Sequence, residues 1–183
     1  MAVTRTPRER WIEQGLVALG DGGPAAVRVE SLARDLGVTK GGFYWHFDDR
    51  ATLLDAMLDA WERRFVDEVI EEVEGQGGDP REKLRRLFGL AAAGGRPLVQ
   101  IELAVRDWAR RDAAVARRLR RVDERRVAYM RPLFAELSDD EDDVEARCLL
   151  VMSLFIGSNS VVVDHRGRRR RDVVADALER LLR

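Results

Sequence analysis

The residues of this chain whose types and spacing are most unusual form the run "GVTKGGFYWHF", residues 37–47. Thr39 is a favourable N-cap residue, and the residues after it have helical spacing. Two glycines nevertheless occupy the first turn, where each costs about 1 kcal/mol of helix propensity relative to alanine. A helix N-terminus carries free N–H groups and a partial positive charge, which suits a phosphate. Glycines at such a tip let bare backbone come close to another surface.

The aromatic side chains of this run divide between two faces of the predicted helix. Residues four apart share a face, so Phe43 and Phe47 lie together and, with Val38, point back at the preceding helices. Three rows face away from the core, pairing Lys40 with Tyr44, Gly41 with Trp45 and Gly42 with His46. The outward face therefore combines bare backbone, a cation and aromatic groups that can hydrogen-bond.

The elements that position this run are predicted to be helices. Beta-branched alternation is nearly absent and apolar residues recur at intervals of three and four, which predicts an all-α fold of about nine helices. The predicted spans are about 7–19, 30–36, 39–46, a long fourth helix from residues 48–49, and helices near 80–92, 97–110, 112–137, 141–164 and 170–183. Pro132 is expected to kink or split the seventh helix, because proline removes a backbone donor.

The order of the second and third helices indicates a binding mode. A short helix, a tight turn at Gly37 and a second helix presented tip-first is the helix-turn-helix arrangement, in which the second helix enters the DNA major groove. Arg50, just beyond, is placed to reach a phosphate. An aromatic cluster taken alone is more often packed core. The cap, turn, glycines and helix order together favour DNA binding.

Composition narrows the class of protein. The chain has 183 residues, of which 45% are hydrophobic and 36% charged, which is typical of a helical protein. The net charge is −1, and the segment up to residue 47 has six basic and five acidic side chains, so basicity alone does not argue for nucleic acid. No apolar run approaches the roughly 18 residues of a membrane span, and the first residues lack an apolar signal core. A cytoplasmic protein is therefore expected.

The sequence offers no chemistry for an enzyme or a metal site. One cysteine and two histidines cannot supply the four ligands of a His/Cys zinc site. The glycine-rich stretches lack the preceding strand and the lysine of a phosphate loop, and no G-x-S-x-G elbow occurs. The carboxylates lie on charged helix faces. We therefore expect no catalytic residue, no metal and no cofactor.

The run "VRVESLARDLGVTKGGFYWHFDDRATLLDAML", residues 27–58, resembles the tetracycline-repressor (TetR) family of bacterial transcriptional regulators. The shared features are a small helix with Leu-Ala, then Leu-Gly-Val, a small-residue tip, and an aromatic run before an acidic helix start. The resemblance implies that DNA is contacted by Thr39, Lys40, Gly41, Gly42, Tyr44, Trp45, His46 and Arg50. Val29 and Glu30 stand where some members have Thr or Arg. They are not carried over, because an acid sits badly near phosphate.

The resemblance also implies a domain organisation. Residues 1–50 would be the helix-turn-helix DNA-binding domain, and residues 51–183 a helical domain for effector binding and dimerisation. Helix eight, "CLLVMSLFIGSNSVVV", is apolar nearly all round, so the last two helices are the expected interface of a homodimer. The alternative is that both helices are buried within one monomer.

An inducer pocket is implied by the family resemblance, and large apolar residues of the second domain are its candidate lining. They are Trp61, Phe65, Phe88, Ile101, Val105, Trp108, Tyr129 and Phe134, with Ser153 and Asn159 as further polar contacts. The expected ligand is small and mostly apolar. The predicted function is a ligand-responsive regulator that binds double-stranded operator DNA, acting as a repressor. The alternative is a DNA-binding regulator with no small-molecule effector, either constitutive or controlled by a protein partner.

Overall fold

The computed structural model describes residues 6–93, 95–158 and 160–183, and within these ranges it contains nine α-helices and no strand. They are α1 (Arg8–Gly22), α2 (Val29–Asp35), α3 (Arg50–Glu62), α4 (Glu68–Gly75), α5 (Pro80–Ala93), α6 (Gly95–Ala109), α7 (Ala113–Ala135), α8 (Glu141–Gly157) and α9 (Arg170–Arg180). The predicted all-α class is confirmed. No helix in the described ranges combines the length and apolar character needed to cross a membrane.

Three of the predicted helices differ in detail from those observed. The third is a short 3-10 helix, Lys40–Trp45, where an α-helix was expected. The long fourth helix is helical from Arg50 to Gly75, but a π-helical turn at Arg63–Asp67 separates α3 from α4. Helix eight ends at Gly157 and not near residue 164. The three β-branched valines at 161–163 follow in non-helical backbone, which suits their restricted side-chain rotamers.

The acidic start of α3 agrees with the prediction, whereas the predicted split at Pro132 does not occur. Asp49 is the N-cap of α3, and its carboxylate accepts a hydrogen bond from the Thr52 amide at 2.8 Å. Pro132 lies inside α7 without splitting it, since the helix continues to Ala135.

The chain forms two compact units that interleave in sequence. The first unit comprises the residues up to Phe65 together with Arg96–Leu119, and so holds α1, α2, the 3-10 helix, α3 and α6. Its fully buried side chains include Trp11, Leu16, Leu19, Leu32, Phe43, Leu53, Met57 and Trp61. The second unit comprises Val66–Gly95 and Arg120–Arg183. A domain division at residue 50 stays a prediction.

The core of the second unit is apolar and draws on α5, α7, α8 and α9. It contains Leu84, Phe88, Met130, Leu133, Phe134, Val144, Cys148, Val151, Leu178 and Leu182. Arg85 of α5 and Glu179 of α9 form an ion pair at 2.9 Å on its exposed side. Burial raises the pKa of the Cys148 thiol to about 11, so the thiol remains protonated at neutral pH.

Two glycines are required by the first unit itself. A Cβ on Gly15 of α1 would lie 2.6 Å from the Met57 sulfur of α3, so glycine allows these two helices to approach closely. Gly37 has φ of 68°, a left-handed conformation that other residues adopt at a cost. Its turn ends α2 and directs the chain into the Lys40–Trp45 helix, which is how the fold presents that helix at the surface.

Candidate DNA interface

The Lys40–Trp45 helix is anchored from beneath by aromatic packing. Phe43 and Phe47 are fully or almost fully buried, as their spacing predicts. The Phe43 ring meets the Trp11 ring of α1 edge-on, with centroids 5.5 Å apart, and stacks on Phe47 at 5.2 Å. Arg8 lies over the outer face of Phe47, 4.9 Å from its centroid. These contacts hold the short helix rigidly on α1, which a six-residue 3-10 helix could not achieve by its own hydrogen bonds.

The opposite face of the same helix exposes two large rings. Tyr44 is 55% exposed and Trp45 is 68% exposed. Burying a large aromatic side chain is one of the strongest stabilising contributions available to a fold, and here the fold leaves that contribution unused. Both rings are therefore available to an external surface, and each has a polar group suited to sugar or phosphate contact.

The two glycines of the tip are not required by the folded chain. Neither Gly41 nor Gly42 has a positive φ. A Cβ on Gly41 would approach nothing closer than 3.8 Å, from Thr39 Oγ1, and one on Gly42 would approach Trp11 at 3.8 Å. Both distances are ordinary van der Waals contacts. Alanine would fit at both positions and would favour the helix, so the folded chain itself gives no reason for glycine here.

Thr39 and His46, two of the predicted contact residues, also make hydrogen bonds within the folded chain. Thr39 occupies the N-cap position in extended conformation, but its side chain makes no capping hydrogen bond, and its carbonyl accepts from the Gly42 amide at 3.0 Å. His46 was expected to face outward. It is half-buried, and its Nε2 lies 2.8 Å from the Thr6 carbonyl, so Nε2 is the donor. The imidazole therefore ties the start of α1 to the tip.

Arg50 is held by backbone carbonyls. Its Nε donates to the Val27 carbonyl at 2.6 Å, and its Nη2 donates to the Pro24 carbonyl. These bonds fasten the segment between α1 and α2 to the first turn of α3. Arg50 is thus a support for the helix-turn-helix, beyond the phosphate contact predicted for it.

Glu30, which sequence reasoning set aside, lies directly at the tip. It is in the first turn of α2, and its carboxylate accepts a hydrogen bond from the Lys40 ammonium. The bond lowers the pKa of Glu30 and raises that of Lys40. The Glu30 and Lys40 side chains are 67% and 48% exposed. The sequence could have indicated this ion pair, because Glu30 and Lys40 have opposite charges and lie in the first turns of two consecutive helices. The tight turn between these helices brings them together.

The family comparison falls on these same elements. Residues 12–57 match the family model described as bacterial regulatory proteins, tetR family. Over this segment the chain is similar to TetR-family transcriptional regulators. The matched segment runs from α1 through the Lys40–Trp45 helix into α3, so it contains the helix-turn-helix with which this family binds DNA. Among curated proteins, none matches the chain.

Solved structures share the fold over nearly the whole length of this chain. A TetR transcription regulator from Haloarcula marismortui superposes with a TM-score of 0.75 at 20% identity, covering 96% of this chain and 95% of that one. FadR from Bacillus subtilis, solved with stearoyl-CoA, gives 0.70 at 16% identity, with coverage of 96% and 98%. A protein from Saccharomonospora viridis, solved with choline, gives 0.77 at 19% identity, with coverage of 96% and 94%.

Most of the effector-binding residues predicted on the first unit are buried, and Trp61 also makes a buried hydrogen bond. Trp61 is fully buried, and its indole N–H donates to the Glu102 carboxylate at 3.1 Å. Glu102 is only 2% exposed and forms an ion pair with Arg106 at 2.8 Å. The Trp61 ring lies 6.3 Å from that of Phe65. Ile101 and Val105 of α6 are also buried.

Trp108 has a different setting, because it lines a cleft within the first unit. The cleft has a volume of about 690 Å³ and lies between the C-terminal end of α1, with the segment after it, and the second half of α6. Leu103 and Ala104 supply apolar lining beside Trp108, and Gln100 supplies an amide. The lining also includes four charged residues: Asp21, Asp107, Arg111 and Asp112. This volume falls within the ~300–1,000 Å³ typical of ligand pockets.

The effector residues predicted on the second unit have three different settings. Phe88 and Phe134 belong to its apolar core. The Tyr129 hydroxyl donates to Glu74 at 2.7 Å, and burial with this bond raises its pKa strongly. Ser153 is exposed, and Asn159 lies outside the described residues. Within the described residues, no group of three His, Cys, Asp or Glu side chains could hold a metal ion.

Proposed function

We propose that this protein is a repressor that docks the Lys40–Trp45 helix into the major groove of operator DNA and occludes a promoter. The observation that carries the proposal is the tip itself. It pairs two exposed rings with two glycines that the folded chain does not need, on a helix fixed from beneath by Phe43 and Phe47. Thr39, Lys40, Gly41, Gly42, Tyr44, Trp45, His46 and Arg50 are the proposed DNA-interface residues. The proposed role is non-enzymatic and cytoplasmic.

The operator-binding form is proposed to be a homodimer. A nearly neutral unit with one recognition helix gains specificity when a two-fold axis places two tips about one DNA turn apart, ~34–36 Å. Leu149 and Leu150 of α8 are 67% and 49% exposed, and Val162 beyond it is 96% exposed. Exposed apolar side chains in α8 and in the segment after it support pairing there. Sedimentation at micromolar concentration tests this point, and a 20.8 kDa species would contradict it.

Release from the operator is proposed to follow binding of a small, mostly apolar ligand. The Trp108 cleft supports a ligand site, and two proteins of the same fold were solved with small molecules. Such a ligand must bind the DNA-incompetent form better, and a coupling of about 1–3 kcal/mol is usual for such switches. A regulator without an effector is the alternative. It is favoured if hydrophobic compounds that quench tryptophan emission leave operator affinity unchanged.

The experiment that tests docking is a footprint on the DNA upstream of the protein's own coding region, followed by titrations with Trp45→Ala. The variant should protect the same site with weaker affinity, since the exposed ring would lose its contacts to sugar, phosphate or a thymine methyl group. Val17→Ala, at an exposed apolar residue of α1, is the matched control and should bind as the parent does. Equal affinity of the parent and Trp45→Ala would contradict docking through the tip.

A further inference from the structure

The ion pair between Glu30 and Lys40 is poorly explained by stability. Both side chains are largely exposed. Exposed ion pairs of this kind contribute little to the free energy of unfolding. Neither residue fills buried space, and the turn that brings their helices together already has its own backbone bonds, including Val38 N–H to the Ala33 carbonyl at 2.9 Å. The pair therefore needs a reason outside the fold.

The position of the pair supplies that reason. Lys40 is the first residue of the 3-10 helix, next to the bare backbone of Gly41. Glu30 is thus part of the surface that the tip presents, although it belongs to α2. A carboxylate there repels every phosphate that approaches. It also cancels much of the attraction that Lys40 would exert on the DNA backbone.

Such an acid is costly unless it finds a donor on the DNA. In the major groove, the exocyclic N4 amino group of cytosine can donate a hydrogen bond to a Glu or Asp carboxylate. The guanine of the same base pair presents O6 and N7, which accept from a lysine. A carboxylate and an ammonium held side by side match the edge of a G·C pair. They fit an A·T pair less well, because its donor, adenine N6, lies between two acceptors, adenine N7 and thymine O4, and both repel a carboxylate.

We propose that Glu30 is a specificity-determining residue of the DNA interface, which together with Lys40 selects a G·C pair in each half-site by accepting from cytosine N4. The inference rests on the proposed docking of the tip in the major groove. Glu30 contributes to specificity in two ways: it rewards the cytosine, and it penalises DNA that lacks a donor at that position.

The test is selection from randomised duplexes by the parent and by Glu30→Gln, followed by titration of single-base variants of the selected site. The parent should require cytosine at one position per half-site, with substitution there costing roughly 5- to 150-fold in affinity. Glu30→Gln should lose that preference or move it to adenine, which glutamine reads through N6 and N7. It should keep the preferences at all other positions. Its affinity for random DNA should rise, with a salt slope steeper by about one.

Glu13→Gln is the matched control. Glu13 is an exposed glutamate of α1 that forms an ion pair with Arg64. Arg64 lies in the π-helical turn after α3, at the opposite end of α3 from Arg50. The control removes the same charge from the same unit and should select the parent's sites. Thermal melts should show that both variants remain folded, as expected for exposed positions.

Two results would overturn the inference, and they differ from each other. If the parent selects a site and Glu30→Gln keeps every base preference while gaining affinity uniformly, Glu30 only weakens binding and reads no base. If the parent enriches no sequence at all, the docking proposal itself fails and the inference fails with it. A change in preference shared equally by Glu13→Gln would also contradict a specific role for Glu30.

Discussion

Two tryptophans of the same unit, Trp45 and Trp61, show opposite uses of one residue type. Trp45 follows the glycine tip and is 68% exposed. Trp61 lies near the end of α3, is fully buried, and donates its indole N–H to the buried carboxylate of Glu102. One ring is fully buried by the fold, and the other is mostly exposed at the surface. The difference teaches that a ring becomes a candidate for binding when the fold fails to bury it, whatever the density of rings around it.

The largest expected effect contrasts the two faces of the tip. Phe43→Ala should lower the free energy of unfolding by about 3–5 kcal/mol, because it leaves a cavity between α1 and the 3-10 helix. Trp45→Ala should change it by less than about 0.5 kcal/mol, as for exposed positions generally. Chemical denaturation of both variants measures the contrast. Similar losses in the two would show that the exposed ring is part of the core after all.

A smaller effect separates the two tryptophans directly. Trp61→Phe removes the indole donor from a buried carboxylate and should cost about 1–3 kcal/mol of stability. The same substitution at Trp45 should cost almost nothing. The two variants are compared by the denaturant concentration at the midpoint of unfolding, provided that the dependence of the unfolding free energy on denaturant is the same in both. If Trp61→Phe were as stable as the parent, the bond to Glu102 would have no role in holding α3 against α6.

Replacing glycine by alanine should change stability in opposite directions at two positions, Gly37 and Gly41. Gly37→Ala should destabilise the chain by roughly 1–2 kcal/mol, because φ of 68° is left-handed and alanine is strained there. Gly41→Ala should leave stability unchanged or raise it by up to ~1 kcal/mol, since glycine loses more backbone entropy than alanine. It should nevertheless weaken operator binding, because the added Cβ keeps the backbone away from DNA. Unimpaired binding by Gly41→Ala would mean that the tip does not approach DNA through bare backbone.

The smallest structural effect is expected at Lys40. Lys40→Ala should leave helicity and melting temperature unchanged, since the side chain and its partner Glu30 are both exposed. A lysine that lies on a phosphate should lower the slope of log affinity against log salt by about one. A lysine held by Glu30 at a base edge should instead change sequence preference with little change of slope. Titration at three salt concentrations distinguishes the two.

Much of the fold was predictable because helical periodicity is local. The all-α class and the tight turn at Gly37 were predicted correctly, and the helix expected from residues 48–49 begins at Arg50, with Asp49 as its N-cap. The predictions were wrong where the type or the end of a helix depends on non-local packing or on details of the backbone. Six residues anchored on Trp11 formed a 3-10 helix in place of an α-helix, and α8 stopped at Gly157.

The candidate DNA interface was predictable in its outline but not in its partners. Spacing assigned Phe43 and Phe47 inward and Tyr44 and Trp45 outward, because side chains four apart share a helix face. It could not show that His46 reaches back to Thr6 or that Arg50 holds the Val27 carbonyl, since both contacts join residues far apart in sequence.

The sequence by itself determined the helical class, the helix-turn-helix and the two faces of its second helix, because these depend on residues within a few turns of one another. Only the tertiary structure decided which charges meet and which rings become buried. Glu30 was set aside as a misplaced acid until folding brought it against Lys40, and Trp61 was a candidate ligand contact until α6 supplied Glu102. The physical reason is that hydrogen bonds and burial depend on neighbours in space, which periodicity along the chain does not specify.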